Sequence, residues 1–112
     1  MLRRKDNYVP DTLSFMDLKL NPSTFELSFN NKIQVLSSKE YQVMEMLIQK
    51  QNIIIPTEKF ITHIWGWDTN VDSSVVWVHI SNIRKKLENI NSTVNIKFIR
   101  GAGYVLEAEK ND

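Results

Sequence analysis

Residue types that transfer protons, hold metals or act as nucleophiles are sparse in this chain and badly spaced for such work. His63 and His79 are the only histidines, and no His or acid pattern around either has metal-ligand spacing. There is no cysteine, which removes thiolate metal sites and disulfides. Serines are common, but none occupies a strand-to-helix nucleophile elbow. Gly101-Ala102-Gly103 precedes a strand-like run, whereas a phosphate-cradling glycine loop opens a helix. No cofactor, no metal and no enzymatic activity are expected.

The residues whose spacing does point to binding lie in 72–90, DSSVVWVHISNIRKKLENI. At about 100° per residue, Ser74, Trp77, Val78, Ser81, Asn82 and Lys85 share one stripe of a helix. A solvated face would not normally mix a Trp and a Val with small polar residues and a Lys. The mixture suits a DNA major groove. Asn bridges an adenine edge with two hydrogen bonds, Val touches a thymine methyl, and Lys reaches a guanine edge or a phosphate. The plainer alternative is an amphipathic helix whose Trp packs on a neighbouring loop, and the helix alone does not choose between them.

That face needs elements to hold it. The opposite stripe, Val76, Ile80, Ile83, Leu87 and Ile90, is spaced for burial. Asp72 and Ser73 are suited to cap the helix start. Upstream, Leu13 to Leu36 reads as a four-stranded antiparallel meander. Leu13 with Phe15, Leu18 with Leu20, and Phe25, Leu27 and Phe29 alternate at period two, and Ile33 and Val35 begin the return strand. Asn21-Pro22-Ser23 and Asn30-Asn31 mark its turns. Ser37 to Glu40 is a capping box for a helix ending near 51–52. A second helix follows Pro56, buries Phe60, Ile61, Ile64 and Trp65, and stops at Gly66. Val94 to Ile99 and Tyr104 to Leu106 flank Arg100 to Gly103 as a hairpin whose glycines permit positive φ, with Arg100 projecting from its tip.

Length and charge bound the rest. The chain has 112 residues, which suits one domain. We expect a folded unit over 12–108, a linker or tail over 1–11 and a short tail over 109–112. No segment approaches the roughly 20 apolar residues that span a bilayer, and no apolar run follows the basic start to make a secretion signal. A cytoplasmic protein with no membrane partner is expected. Net charge is only +1, but it is uneven. Over 72–104, Arg84, Lys85, Lys86, Lys97 and Arg100 outnumber Asp72 and Glu88 by three, whereas 37–71 carries one more acid than base. The positive potential therefore falls on the C-terminal half.

Meander, three helices and basic hairpin, in that order, make an α+β fold, a winged helix-turn-helix behind an N-terminal four-stranded antiparallel sheet. LSSKEYQVMEMLI, EKFITHIWGWD, VVWVHISNIRKKLE and IRGAGYVL stand at the right order and spacing to resemble the C-terminal DNA-binding (effector) domain of OmpR/PhoB-type response regulators, over about Leu13 to Glu107. The resemblance implies a sequence-specific output domain of a two-component system, with helix 72–90 in the major groove and wing 94–106 in the minor groove. It also implies tandem binding to direct repeats of double-stranded DNA, a loop that meets RNA polymerase, and an upstream receiver domain. Matched by position, Val78 and Asn82 would read the major groove. Ser74, His79, Ser81, Arg84 and Lys85 would lie near phosphates or base edges. Arg100 would be the wing arginine with Phe98 and Tyr104 beside it, and Trp67 and Asp68 would lie in the polymerase loop. Many members carry Arg at the positions of Ser74, Ser81 or Asn82 and an acid at Trp77. The uncharged residues here shift the implied base preference from guanine toward adenine. The competing reading is a winged-helix module that docks a protein through Trp67, Trp77 and Val78.

Overall fold

The computed structural model describes residues 12–66 and 70–108; the expected tails and the expected polymerase-loop residues Trp67 and Asp68 lie outside them. Strands β1 (Leu13–Phe15), β2 (Leu18–Asn21), β3 (Glu26–Phe29) and β4 (Lys32–Val35) form one antiparallel sheet in the order β1-β2-β3-β4. Its register pairs Leu18 with Phe29 and Leu20 with Leu27. These four side chains are buried together, as strand alternation requires. Asn30 takes φ 57° at the β3–β4 turn, the left-handed geometry that Asn tolerates. At the β2–β3 turn the Ser23 N–H donates to Asn21 Oδ1 at 2.8 Å.

One expectation for the sheet needs correction. Phe25 is not a strand residue: β3 begins one position later, and Phe25 has φ 62°. Its N–H donates to the Asn21 carbonyl, and its own carbonyl accepts from Leu36 N–H, both at 2.8 Å. Its ring stacks on Tyr41 at 4.6 Å between centroids. Burying that ring against the first helix outweighs continuing the period-two pattern. Ile33 and Val35 lie in β4, as expected for the return strand; both face outward and are exposed, because register sets Gln34, opposite Leu27, on the inner side.

Helix α1 (Ser38–Gln49) has the full capping box. The Glu40 N–H donates to Ser37 Oγ at 3.2 Å, and the Ser37 N–H to Glu40 Oε1 at 2.9 Å. The second helix departs from expectation. α2 covers only Thr57–Phe60, with Pro56 as N-cap, and Ile61–Trp65 then widens into a π turn. The Gly66 N–H closes it on the Ile61 carbonyl at 3.0 Å, and Gly66 at φ 81° ends it. Helix α3 (Ser73–Asn89) is capped by Asp72. Its predicted stripe, Val76, Ile80, Ile83, Leu87 and Ile90, is wholly buried and joins α1, the sheet and the hairpin in one core.

Strands β5 (Val94–Ile99) and β6 (Gly103–Ala108) form the C-terminal hairpin. Ile55 adds a one-residue rung to it: its N–H donates to the Tyr104 carbonyl at 2.8 Å, and the Tyr104 N–H returns a bond at 3.0 Å. Gly103 makes this approach possible. A Cβ there would lie 2.0 Å from the Ile55 carbonyl oxygen.

Candidate nucleic-acid interface

Burying one stripe of α3 leaves the other facing out. Trp77 and Val78 keep 55% and 49% of their surface exposed, Lys85 is exposed, and Ser81 and Asn82 are half-buried. The Asn82 amide makes no hydrogen bond to any described residue, so both its donor and its acceptor are open to a base edge. An α-helix of ordinary diameter fits the major groove. The outer face of α3 therefore offers one amide, small hydroxyl, apolar and cationic chemistry in a continuous strip.

The wing is set against α3 by a charged tie. Arg84 Nε and Nη2 both donate to the Ile96 carbonyl, at 3.0 and 2.8 Å. This takes two donors of a residue expected near phosphate into the fold. Lys86 is tied likewise, donating to Val35 O at 2.9 Å and pairing with Glu40 at 2.7 Å. Burial opposes ionisation of Glu40. The Lys86 hydrogen bond, the Ser37 N–H and the charges of Lys86 and His79 outweigh it and hold the carboxyl below its usual value. Lys85, between these two tied cations, remains exposed, as do Lys97 and Arg100.

Other expected contacts take distinct places. The Ser74 hydroxyl donates to Asp72 Oδ1, which also accepts the Ser74 N–H at 3.0 Å. These two bonds lower the Asp72 pKa and make Ser74 part of the helix cap. His79 is half-buried, with Nδ1 2.8 Å from the Val75 carbonyl and its ring edge-on to Trp65 at 5.3 Å. Lys39 approaches the same Trp65 ring at 5.6 Å. Phe98 is exposed at 51% and tilts against Tyr104, 5.2 Å away across the hairpin. Tyr104 itself is buried, and burial raises its pKa; it supports Phe98 from beneath. Arg100 stands at the tip, where the Ala102 N–H closes a turn on Ile99 O at 2.9 Å.

Between α3 and the wing lies a cleft of about 710 Å³. Its walls are 56–58 at the start of α2, Ser73, Ser74 and Trp77 of α3, and Phe98 with 101–104 of the wing. Thr57 and Glu58 are additions to the surface expected from the sequence. Nothing local to them signals a surface, because the cleft joins positions far apart in the chain.

A capped helix with one buried and one open face, preceded by a short helix and braced by a hairpin with an exposed arginine at its tip, defines a winged-helix DNA-binding domain. The chain belongs to the family of transcriptional regulatory protein C-terminal domains, of OmpR/PhoB type, whose family model matches residues 31–106. The heme response regulator HssR of Staphylococcus aureus is 36% identical over 107 residues, which are 96% of this chain and 48% of HssR. The chain thus spans about half the length of the curated relatives it matches. The DNA-binding domain of CpxR from E. coli superposes with a TM-score of 0.68 at 28% identity, covering 88% of this chain and 98% of that one. The Klebsiella pneumoniae RstA DNA-binding domain, solved in complex with the RstA box, gives a TM-score of 0.68 at 24% identity over 85% of this chain and 95% of its own.

Proposed function

We propose that this chain is the sequence-specific output domain of a two-component response regulator, inserting α3 into the major groove and its wing into the adjacent minor groove of its operator. The observation that carries this is the division of α3 into a fully buried stripe and an open strip bearing Val78, Asn82 and Lys85, with exposed Arg100 on the hairpin beside it. Val78 and Asn82 face thymine methyl and adenine edges. Lys85 and Lys97 neutralise phosphates, and Arg100 enters a narrow minor groove. Ser81 lies alongside Asn82. Arg84, Ser74 and Tyr104 act behind this surface by holding the wing, the cap and the Phe98 ring, and His79 packs on Trp65.

The wider reading rests on the relatives. They are about twice as long as the part matched here, which supports an upstream receiver domain joined through 1–11 to a folded unit over 12–108, with 109–112 as a tail. Membership of the family supports, as parts of this reading, tandem binding to direct repeats, a polymerase contact at Trp67 and Asp68, and a cytoplasmic site of action. The domain acts by binding, with no catalytic step. No described helix is long and apolar enough to cross a membrane.

Selection of random duplex DNA by the purified chain at about 50 mM salt, where phosphate contacts are strong, tests this. Enrichment of direct repeats about one helical turn apart is the expected result. No enrichment and no salt-dependent retention of any duplex would sink the reading and turn attention to a protein partner at Trp77.

A further inference from the structure

We propose that Trp77 and Phe98 form an apolar clamp on the deoxyribose edges of one DNA strand, giving the domain a share of its affinity that does not depend on salt. The inference deepens the DNA-binding reading and rests on it. Both rings are about half exposed, 55% and 51%. They come from different elements, α3 and β5, yet line the same cleft. The cleft takes in Ser74 and Trp77, neighbours of Val78 on the exposed face of α3, and Gly101 and Ala102 of the wing tip, next in sequence to Arg100.

The charge in the cleft decides what it can hold. Among the described residues, neither Lys nor Arg lines it, and Glu58 does. The Ser74 hydroxyl is already donating to Asp72. A cleft with a carboxylate and no cation is a poor phosphate site. A DNA strand alternates phosphates with largely apolar sugars. Two exposed aromatic faces match the sugars, and burying them contributes free energy without releasing counterions. This accounts for an interface on a chain of net charge +1, in which Arg84 and Lys86 are held by the fold.

The test uses the 112-residue chain and a labelled duplex recovered by selection, with affinity measured across a salt series. Trp77→Ala and Phe98→Leu should each weaken binding about fivefold and leave the salt slope unchanged. Trp77→Phe should restore most of the loss. Arg100→Ala should instead lower the slope by about one, and Glu58→Gln should tighten binding and steepen the slope. Replacing every thymine in the duplex by deoxyuracil separates sugar from base methyl. A Trp77→Ala cost that persists supports the sugar contact, and one that vanishes overturns it. Trp77→Ala and Phe98→Leu chains that bind like the parent, or that change the slope, overturn the clamp alone. A parent chain that retains no duplex overturns the DNA reading itself. Phe98→Leu and Glu58→Gln keep the test decisive if Trp77→Ala disturbs folding.

Discussion

The N-terminal sheet uses four strands of three or four residues, whereas the wing uses two of six. The sheet is held by a buried apolar face, with Leu18, Leu20 and Leu27 fully enclosed, and by Lys86 reaching Val35. The wing also buries Val94, Ile96 and Leu106, but its orientation depends on directional bonds: Arg84 to Ile96, and the paired bonds of Ile55 with Tyr104. Apolar burial is non-directional and suffices for a platform. A hairpin that must present Arg100 at a fixed place beside α3 requires hydrogen bonds of defined geometry. The two β-units differ because one supplies surface to bury and the other supplies a position.

The contrast is broken most severely at Gly103. Gly103→Ala places a Cβ against the Ile55 carbonyl at φ 146°, so the Ile55 rung must part. We expect a stability loss of about 3 kcal/mol or more, read by urea unfolding, with the β5–β6 amides losing hydrogen-exchange protection before those of β1–β4. Equal loss in both units would show that the wing and the platform are one cooperative piece.

Glu40→Ala removes the partner of a partly buried Lys86 and half of the capping box, a loss of about 2 kcal/mol. It should loosen the junction of α1, α3 and β4 while leaving the wing intact. The same pair gives a pH signature. The Glu40 pKa is lowered in the fold relative to its ordinary value of 4.5. Its contribution is therefore full above that value and disappears as pH falls through the lower folded value. The thermal midpoint of Glu40→Gln should converge on that of the parent under acid; a constant gap down to low pH would show that the ionised pair contributes nothing.

Arg84→Met should cost about 1.5 kcal/mol, the range of a hydrogen bond from a charged group. The loss should appear in exchange of the wing amides, and DNA affinity should fall although Arg84 is not placed on DNA. The smallest effect is Arg100→Ala, within about 0.5 kcal/mol of the parent in stability because the residue is exposed. A large thermal shift there would mean that the wing tip is structural.

Much of this architecture can be read along the chain. The stripe from Val76 to Ile90, the Ser37–Glu40 box, the Asn30 turn and the stop at Gly66 all follow from local rules, namely helical periodicity, capping chemistry and the residues that accept positive φ. Phe25 shows where such rules fail. Its period-two spacing is that of a strand, yet stacking on Tyr41 removes it from the ladder. The π turn at Ile61–Trp65 has no local signature of its own.

Local pattern alone tells which side of α3 is buried, that a basic hairpin follows it, and to which family the chain belongs. These depend on neighbours within a few residues and on the order of segments. Which cations stay exposed emerges only from packing. Arg84, Lys85 and Lys86 are adjacent and chemically alike, but successive helix residues point about 100° apart. Arg84 meets the wing, Lys86 meets Glu40 and Val35, and Lys85 meets solvent. Likewise, only packing brought Trp77 and Phe98 to one cleft and Ile55 to Tyr104, because contacts across long stretches of chain are set by how the elements pack against one another.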